Sequence, residues 1–586
     1  MEQQRNDLTP DQYNAVRIDT KRLRILAGAG SGKTRVLTHR IAHQSKTLRI
    51  EPEHVLCLTF TKKAAEELRS RLKTLGLDSP VTAGTFHALA FAQLQTRWND
   101  LSIPRRPTIL ENRRTLLRSI LPDRLTSETR DTICNEIDWA TARRLTPETY
   151  PTAVEKNQRT PHSNSTQVSE FLNLFTQEKR KRNLIDFDDI LEHAISDLVN
   201  DTDFAAGRHW KYRYIFVDEF QDVNPLQFAL LRAWLGEDSS MCIVGDPDQA
   251  IYSWNGADAK YLENFNSYFP DGQTVELTKN FRSTPQIVHT ASSVLGDKPS
   301  LSSQKPDGEI PSIHQAKTCI DEAEYIASSI KERRIYAESW STQAVLVRTH
   351  AQIERFSDAF TRSEIPFKVS KNNEASLDTG ASLSVDDSVT ITTFHAAKGL
   401  EWPVVHIAGL EEGFSPISYA NSKSSLDEER RLLYVAMTRA QNELHCSWAR
   451  ERIFGSKKIS RKPSPYLKEI SHSMQAASIK KSDGSSLRNR IRLFREQIFP
   501  ETEAQNTPSE DSKQRQKLES WRESKALAAG VNPCDVISDK FIDQVIDQKP
   551  RTLKQLSEIP QLNDFKVKRY GVEIIQILSD ENSIKP

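Results

Sequence analysis

The segment Ala27-Gly28-Ala29-Gly30-Ser31-Gly32-Lys33-Thr34 stands between an apolar run of strand length, RILA, and an amphipathic run of helix length, TRVLTHRIAHQ. A glycine-rich turn ending in Gly-Lys-Thr at a strand-to-helix junction restricts the fold severely. The strand has to belong to a parallel sheet covered by helices, and the turn has to open at the carboxyl edge of that sheet. Glycines allow backbone N–H groups to turn inward around phosphate oxygens, and the helix N-terminus adds positive potential. Lys33 is placed to neutralise β and γ oxygens, and the Thr34 hydroxyl to ligate Mg2+. Ala27 replaces the first glycine of the motif. The bland alternative, a flexible Gly/Ser turn that holds no phosphate, is opposed by the strand-to-helix context.

The rest of the chain is organised around this turn. Strand-length and helix-length runs alternate from Arg22 to Gly256, predicting βαβ units around a parallel sheet. From about Gln95 to Lys211 the rhythm gives way to charge-rich helical segments such as VSEFLNLFTQEKRKR, an expected helical insertion. A second strand-and-helix rhythm begins near Thr274 (TVEL), continues through AVLVRT, VTITTF and VVHIAGL, and ends in the helix EERRLLYVAMTRA. Beyond Arg452 the chain turns basic and polar, as a tether or simply a solvated linker would, and Gln516 to Leu578 reads as a small helical bundle. With 586 residues, three or four compact units are expected. The predicted division is 1–95 with 211–273, 96–210, 274–451, 452–515 and 516–580, an α/β fold of two phosphate-loop-type domains plus an all-α module.

Composition serves mainly to exclude. No run of about 18 apolar residues could span a bilayer, and MEQQRNDLTPDQ lacks a secretory pattern, so a cytoplasmic location is expected. Six scattered cysteines without a CxxC pair oppose a zinc site or a disulfide framework. A net charge of +1 means that a polyanionic partner would have to be held by a local groove.

A second apolar strand, Tyr214-Ile215-Phe216-Val217, delivers Asp218 and Glu219 at its carboxyl end. Asp218 is the candidate Mg2+ anchor, and Glu219 is placed to orient or deprotonate the attacking water. An Asp-Glu pair after a strand is usually a turn or a helix cap. Coupled to the phosphate loop, it reads as the other half of a nucleotide site.

At this point the residues resemble the UvrD/Rep-like DNA helicases of superfamily one, in order from Leu8 to Ala440. LTPDQYNAV is similar to the family's adenine-reading segment, with Gln12 at a base edge, and the resemblance implies nucleotide contacts from Ala27 through Arg35. LTFTKKAAEEL and AGTFHALA resemble DNA-contacting segments and carry Phe60, Thr85 and His87. VGDPDQAIYSWNGA implies Gln249 near the γ-phosphate and Tyr252 and Trp254 beneath stacked bases. Without the family, Trp254 reads equally well as a core residue. LTKNFRST supplies Arg282, with Phe281 where the family usually has a tyrosine. ITTFHAAKGLEW offers His395 and Lys398 towards DNA and Glu401 towards the ribose, and EERRLLYVAMTRA offers Arg439. The resemblance makes Arg282 and Arg439 arginine fingers.

It implies an ATP- and Mg2+-dependent motor that moves three-prime to five-prime on single-stranded DNA and acts at single/double-strand junctions in repair or replication maintenance, close to the nucleoid. The family's large helical insertion between the Arg282 and His395 segments is expected to be missing here. The tail resembles the HRDC domain, with Lys566, Lys568 and Arg569 able to meet phosphate or, like similar modules, a repair or replication protein. A UvrD-like motor joined to this module resembles an actinobacterial type that ends in a four-cysteine domain, and no such cluster occurs here. Alternatives left open are a helicase-nuclease subunit, a nucleotide-gated single-strand clamp and an RNA motor, since stacking and phosphate contacts do not discriminate sugars.

Overall fold

Alternate residues of short buried strands feed opposite faces of one sheet. In β1 (Arg22–Ala27), β2 (Val55–Thr59) and β3 (Thr82–Thr85), and after the small β4 (Thr108–Ile109) and β5 (Leu184–Ile185), in β6 (Tyr214–Val217), β7 (Ser240–Gly245) and β8 (Gln273–Leu277), successive side chains part company. Leu56, Leu58, Ile215, Val217, Met241 and Ile243 enter one core. Leu23, Ile25, Val55, Cys57, Phe216, Cys242 and Val244 enter the other. A strand covered on both sides has to be apolar at both parities, which is why the central strands β2, β6 and β7 are the ones that read as apolar runs. The order is β3-β2-β6-β7-β1-β8, and every neighbouring pair is parallel.

This computed structural model describes residues 8–47, 49–77, 80–157, 159, 164–296, 301–335, 339–370, 387–454, 457–481, 510–529, 536–557, 559 and 564–578. They divide into two units, Met1–Asp483 and Gly484–Pro586.

Within the first unit, β9 (Lys279–Asn280) pairs with β10 (Ser302–Ser303) where the chain leaves the first sheet. The second lobe is built on β11 (Ser312–Thr318), β12 (Gln343–Val347), β13 (Phe367–Val369), β14 (Val389–Thr393), β15 (Trp402–Ile407), β16 (Ala440–Phe454) and β17 (Lys457–Ser460). Its order is β11-β16-β15-β12-β14-β13, parallel throughout, with β17 antiparallel on β16. β13 and β14 lie side by side, with residues 371–386 outside the described range.

Helices cover both sheets, and their starts are chemically marked. The Thr61 and Thr85 hydroxyls accept from Ala64 and Ala88 N–H at the heads of Lys62–Thr74 and Phe86–Asp100, and Asn224 and Gln227 cap Pro225–Trp234 reciprocally.

Packing departs from the expected boundaries in two places. Leu116, Ile137, Tyr150, Phe171 and Phe175 give the insertion its own core, but helices Phe187–Asn200 and Thr202–Lys211 pack through Ile190, Leu191, Ala194 and Ala205 against the first sheet. β17 and helix Tyr466–Lys481 fall in the expected basic linker, yet Tyr466, Leu467 and Ile470 are buried in the second lobe's core. Polar residues on the exposed sides of those elements mask three well-spaced apolar anchors.

The tail unit packs Leu518, Ile537, Phe541, Ile542, Val545, Leu556, Ile559 and Ile574 together. Leu553, an apolar residue of the same module, is exposed. Cys534 and Ala528 fall outside the residues whose side chains are described.

Candidate functional site

The carboxyl ends of β1, β6 and β7 meet at the phosphate loop. Gly30 (φ +68°) and Gly32 (φ +83°) take left-handed backbone, and helix Lys33–Lys46 starts directly from Gly32. A Cβ at Gly30 would lie 2.7 Å from the Cβ of Arg282, so both the turn and the approach of the chain beyond β9 require glycine there. Asn280 Nδ2 donates to the Ala29 carbonyl (2.7 Å), and Phe281 N–H donates to that of Gly30 (2.8 Å). Ser31 Oγ closes the loop on the Gly28 carbonyl at 2.8 Å.

Lys33 Nζ reaches the Ala27 carbonyl (3.2 Å) and stands 4.0 Å from Asp246 Oδ2. Thr34 Oγ1 donates to Asp218 Oδ2 at 2.9 Å. Glu219 follows in left-handed backbone (φ +52°), a conformation that a glutamate adopts only when its surroundings hold it. Its carboxylate accepts from Gln221 Nε2, and Gln221 Oε1 accepts the Asp246 N–H. Gln249 Nε2 in turn donates to Asp246 Oδ2 at 2.6 Å.

Burial, and next the charge of Glu219, push the Asp218 carboxyl above its ordinary range. Burial also pushes Glu219 upward, but Lys33 and Lys398 outweigh it and hold that carboxyl below its ordinary range. One member of the pair is thus kept ionised, while at the other burial and the neighbouring carboxylate outweigh Lys33.

Second-lobe residues close the other side. Arg439 is 2 % exposed. Its guanidinium donates only to neutral acceptors: the Val435 carbonyl (2.9 Å), the Leu400 carbonyl (3.3 Å) and Thr438 Oγ1 (3.3 Å). Burial, and then the neighbouring Arg282, lower it to about 9. A buried guanidinium with no carboxylate partner among the described residues is costly, and an anion in the cleft would offset that cost. Arg282 pairs with Glu401, which also accepts from Gln441 Nε2 at 2.9 Å. Phe281 is 41 % exposed beside the phosphate loop. Arg35 is exposed on the first turn of its helix.

Two expected contacts differ. Gln12, expected at a base edge, is buried with its amide on the protein's own backbone: Oε1 accepts from Thr9 N–H (3.1 Å) and Nε2 donates to the Ser31 carbonyl (2.9 Å). It caps its helix and braces the phosphate loop. Lys398, expected towards DNA, instead joins the lobes, with Nζ on Asp222 Oδ2 (2.5 Å) and on the Gln249 carbonyl (2.8 Å). Burial pushes the Asp222 carboxyl up to about 6 in spite of that lysine. Arg431 Nε on the Ala250 carbonyl (2.8 Å) and Ser253 on Glu428 add further bonds across the seam. Sequence reasoning passed over Asp222 and Asp246, although both lie inside quoted segments, because the lysines beside them, Lys398 and Lys33, are far away in the chain.

Aromatic rings gather where the seam reaches the surface. Trp254 is 50 % exposed, so it is not a core residue. His395 from the second lobe lies edge-on to it with centroids 6.3 Å apart, and Tyr252 lies 6.3 Å from His395 with its hydroxyl on the His395 carbonyl. Burial, then Arg348 and Lys398, depress His395 to about 3, so its ring is neutral. Phe60, Thr85 and His87 stand at the carboxyl ends of β2 and β3, on the same edge of the first sheet. Phe60 packs partly into the core, 6.0 Å from Phe86, the Thr85 hydroxyl caps its helix, and His87 meets Phe187 edge-on at 5.8 Å. His87 Nε2 is buried without a hydrogen-bond partner.

Comparison with known proteins agrees with this layout. Residues 8–270 match the UvrD/REP helicase N-terminal domain, 275–374 and 371–451 the UvrD-like helicase C-terminal domain, and 513–578 the HRDC domain. The ATP-dependent DNA helicase UvrD2 of Mycobacterium tuberculosis (strain H37Rv) is 31% identical over 94% of this chain and 95% of its own length. The ATP-dependent DNA helicase PcrA of Leuconostoc citreum is 32% identical over 62% of this chain and 50% of its own. PcrA of Staphylococcus aureus (strain NCTC 8325) is 25% identical over 80% and 87%. Matched through both lobes and the cleft between them, the chain belongs to the UvrD/REP helicase family.

Proposed function

We propose that this chain is an ATP-dependent DNA helicase that advances three-prime to five-prime along single-stranded DNA and separates duplex at junctions. The observation that carries the reading is Arg439, a buried guanidinium held only by neutral acceptors, which shares one cleft with Lys33 and Glu219 from the other lobe. Lys33 and the loop N–H groups bind the β and γ oxygens, Gln249 senses the γ-phosphate, and Phe281 stacks on the adenine with Glu401 at the ribose. Glu219, kept ionised, orients the attacking water and takes its proton. Arg282 and Arg439 stabilise charge on the phosphoryl group, so the site is complete only when both lobes grip one nucleotide.

The donor set fits Mg2+. The Thr34 hydroxyl and the Asp218 carboxylate put hard oxygens side by side, and the raised Asp218 carboxyl calls for a cation. Bound there, the ion would neutralise charge on the phosphate oxygens.

Tyr252, Trp254 and His395 straddle the seam, so movement of one lobe on the other carries any bases stacked on them. Stacking is sequence-tolerant, as a motor requires. The HRDC module supplies a second contact, with junction DNA or with a repair protein. Strand displacement on substrates carrying only a three-prime or only a five-prime overhang, with ATP turnover followed on matched DNA and RNA strands, tests the reading. Activity confined to three-prime DNA overhangs is expected. ATP turnover without displacement would favour the clamp, and preference for RNA the RNA motor.

A further inference from the structure

Where the chain leaves the first sheet, Asn280 is 1 % exposed although its side chain is wholly polar. A buried amide has to find hydrogen-bond partners at both ends, and this one does. Its Oδ1 accepts from the N–H groups of Arg282 (2.9 Å) and Ser283 (2.8 Å), and its Nδ2 donates to the Ala29 carbonyl (2.7 Å). The first two bonds are the common side-chain closure of a turn, for which Asp is as well suited as Asn because both offer the acceptor. The third spans 251 residues and needs a donor, which only the amide has. Turn chemistry therefore accounts for an oxygen at this position, and the phosphate loop accounts for the nitrogen.

The approach is close. A Cβ at Gly30 would lie 2.8 Å from Asn280 Nδ2, so the loop leaves open the space that the amide fills. On the far side, Ser283 Oγ donates to the carbonyl of Ala440 (2.5 Å), one residue beyond Arg439, and Thr284 N–H donates to that of Gln441 (3.1 Å). Residues 280–284 thus join the phosphate loop to the strand that follows Arg439. Arg282 stands in the middle of this bridge, its backbone fixed to the loop through Asn280 and its guanidinium on Glu401. A guanidinium on a long side chain stabilises a transferring phosphoryl group only where its base is held in place. We propose that Asn280 is a positioning residue for phosphoryl transfer: with an acceptor at one end of its amide and a donor at the other, it sets the Arg282 backbone against the phosphate loop, so that the guanidinium is delivered to the phosphate the loop holds. The inference deepens the proposed function and rests on Arg282 acting there as an arginine finger.

Two substitutions separate the bonds. Asn280→Asp keeps the acceptor of the turn and loses the donor to Ala29, and Asn280→Ser keeps an acceptor without a buried charge and is too short to reach Ala29. Each is made in the full chain, alone and together with Arg282→Ala, with thermal melts confirming that it folds. Single-turnover ATP hydrolysis at saturating single-stranded DNA is measured beside binding of a fluorescent ADP. Hydrolysis by the single variants is expected to slow about 10- to 100-fold, the upper figure being that for about 1 Å of misplacement, with ADP affinity within about threefold of the parent. Combined with Arg282→Ala, the same substitutions should add little, because the group they position is gone. An unchanged rate, or weaker ADP binding with hydrolysis at saturation unchanged, overturns the inference, since the amide would then serve only the turn or only the loop. A full further loss on top of Arg282→Ala overturns it as well. If Arg282→Ala itself hydrolyses ATP at the parent's rate, the reading of Arg282 fails and this inference falls with it, whereas the other outcomes leave that reading standing.

Discussion

Asp218 and Glu219 are consecutive carboxylates that their surroundings drive in opposite directions, one upward by burial, the other downward by Lys33 and Lys398. On the proposed function, the residue bonded to Thr34 would hold the cation and the ionised one would take the proton. Glu219→Gln keeps the shape and removes the base. ATP affinity should change less than threefold while single-turnover hydrolysis falls about 10²- to 10⁴-fold, and an unchanged rate would remove Glu219 from the chemistry. His395 gives a prediction with the opposite sense. Its folded-state value near 3 lies below the ordinary 6.5, so the unfolded chain takes up the proton first. Its contribution to stability is therefore complete above about pH 6.5 and is lost as the pH falls towards 3. Above pH 5 the folded ring carries no charge, so single-strand affinity of the parent and of His395→Phe should vary with pH in parallel from 5.5 to 8. A rise in affinity at low pH that His395→Phe abolishes would contradict a neutral ring.

At the scale of elements, the residues that join the lobes come from turns and helices rather than from the sheets. Lys398, just beyond β14, is fastened to Asp222, which follows β6, and to the Gln249 carbonyl beyond β7. On the proposed function, movement of the second lobe would be coupled through this tie to the segment that carries Glu219. Lys398→Ala leaves the buried Asp222 without its partner, a change that costs about 3–5 kcal/mol where the charge has to persist. Asp222 already titrates near 6, so below that pH it can shed its charge. The fall in Tm should therefore be larger at pH 8 than at pH 5, and equal losses at the two would contradict the assignment. The same variant should lose stimulation of ATP turnover by single-stranded DNA more than it loses basal turnover. How far these elements could be read beforehand follows from the range of the interactions. The phosphate loop and the Asp218-Glu219 strand were legible because their chemistry is local and punctuated by glycines. The Lys398–Asp222 tie spans 176 residues, and the inward turn of the Gln12 amide depends on Ser31, so neither leaves a mark in a short window.

On the scale of the whole molecule, two parallel-sheet lobes enclose the cleft, and a helical module with its own core follows. Alternation of apolar runs made both lobes legible. The helix Tyr466–Lys481 was not, because a charged sequence conceals its anchors Tyr466, Leu467 and Ile470. Deleting Leu518 to Pro586 should leave DNA-stimulated ATP turnover intact and reduce unwinding of forked DNA, and unaltered unwinding would confine that module to protein contacts. The central claim is that each lobe contributes half of one phosphate-cleaving centre. It is tested most directly by ATP turnover of Arg439→Ala at saturating single-stranded DNA, with nucleotide affinity measured in parallel. Turnover is predicted to fall about 10³-fold or more, in the range for loss of an arginine finger, with nucleotide still bound. Turnover within a few-fold of the parent would contradict the account.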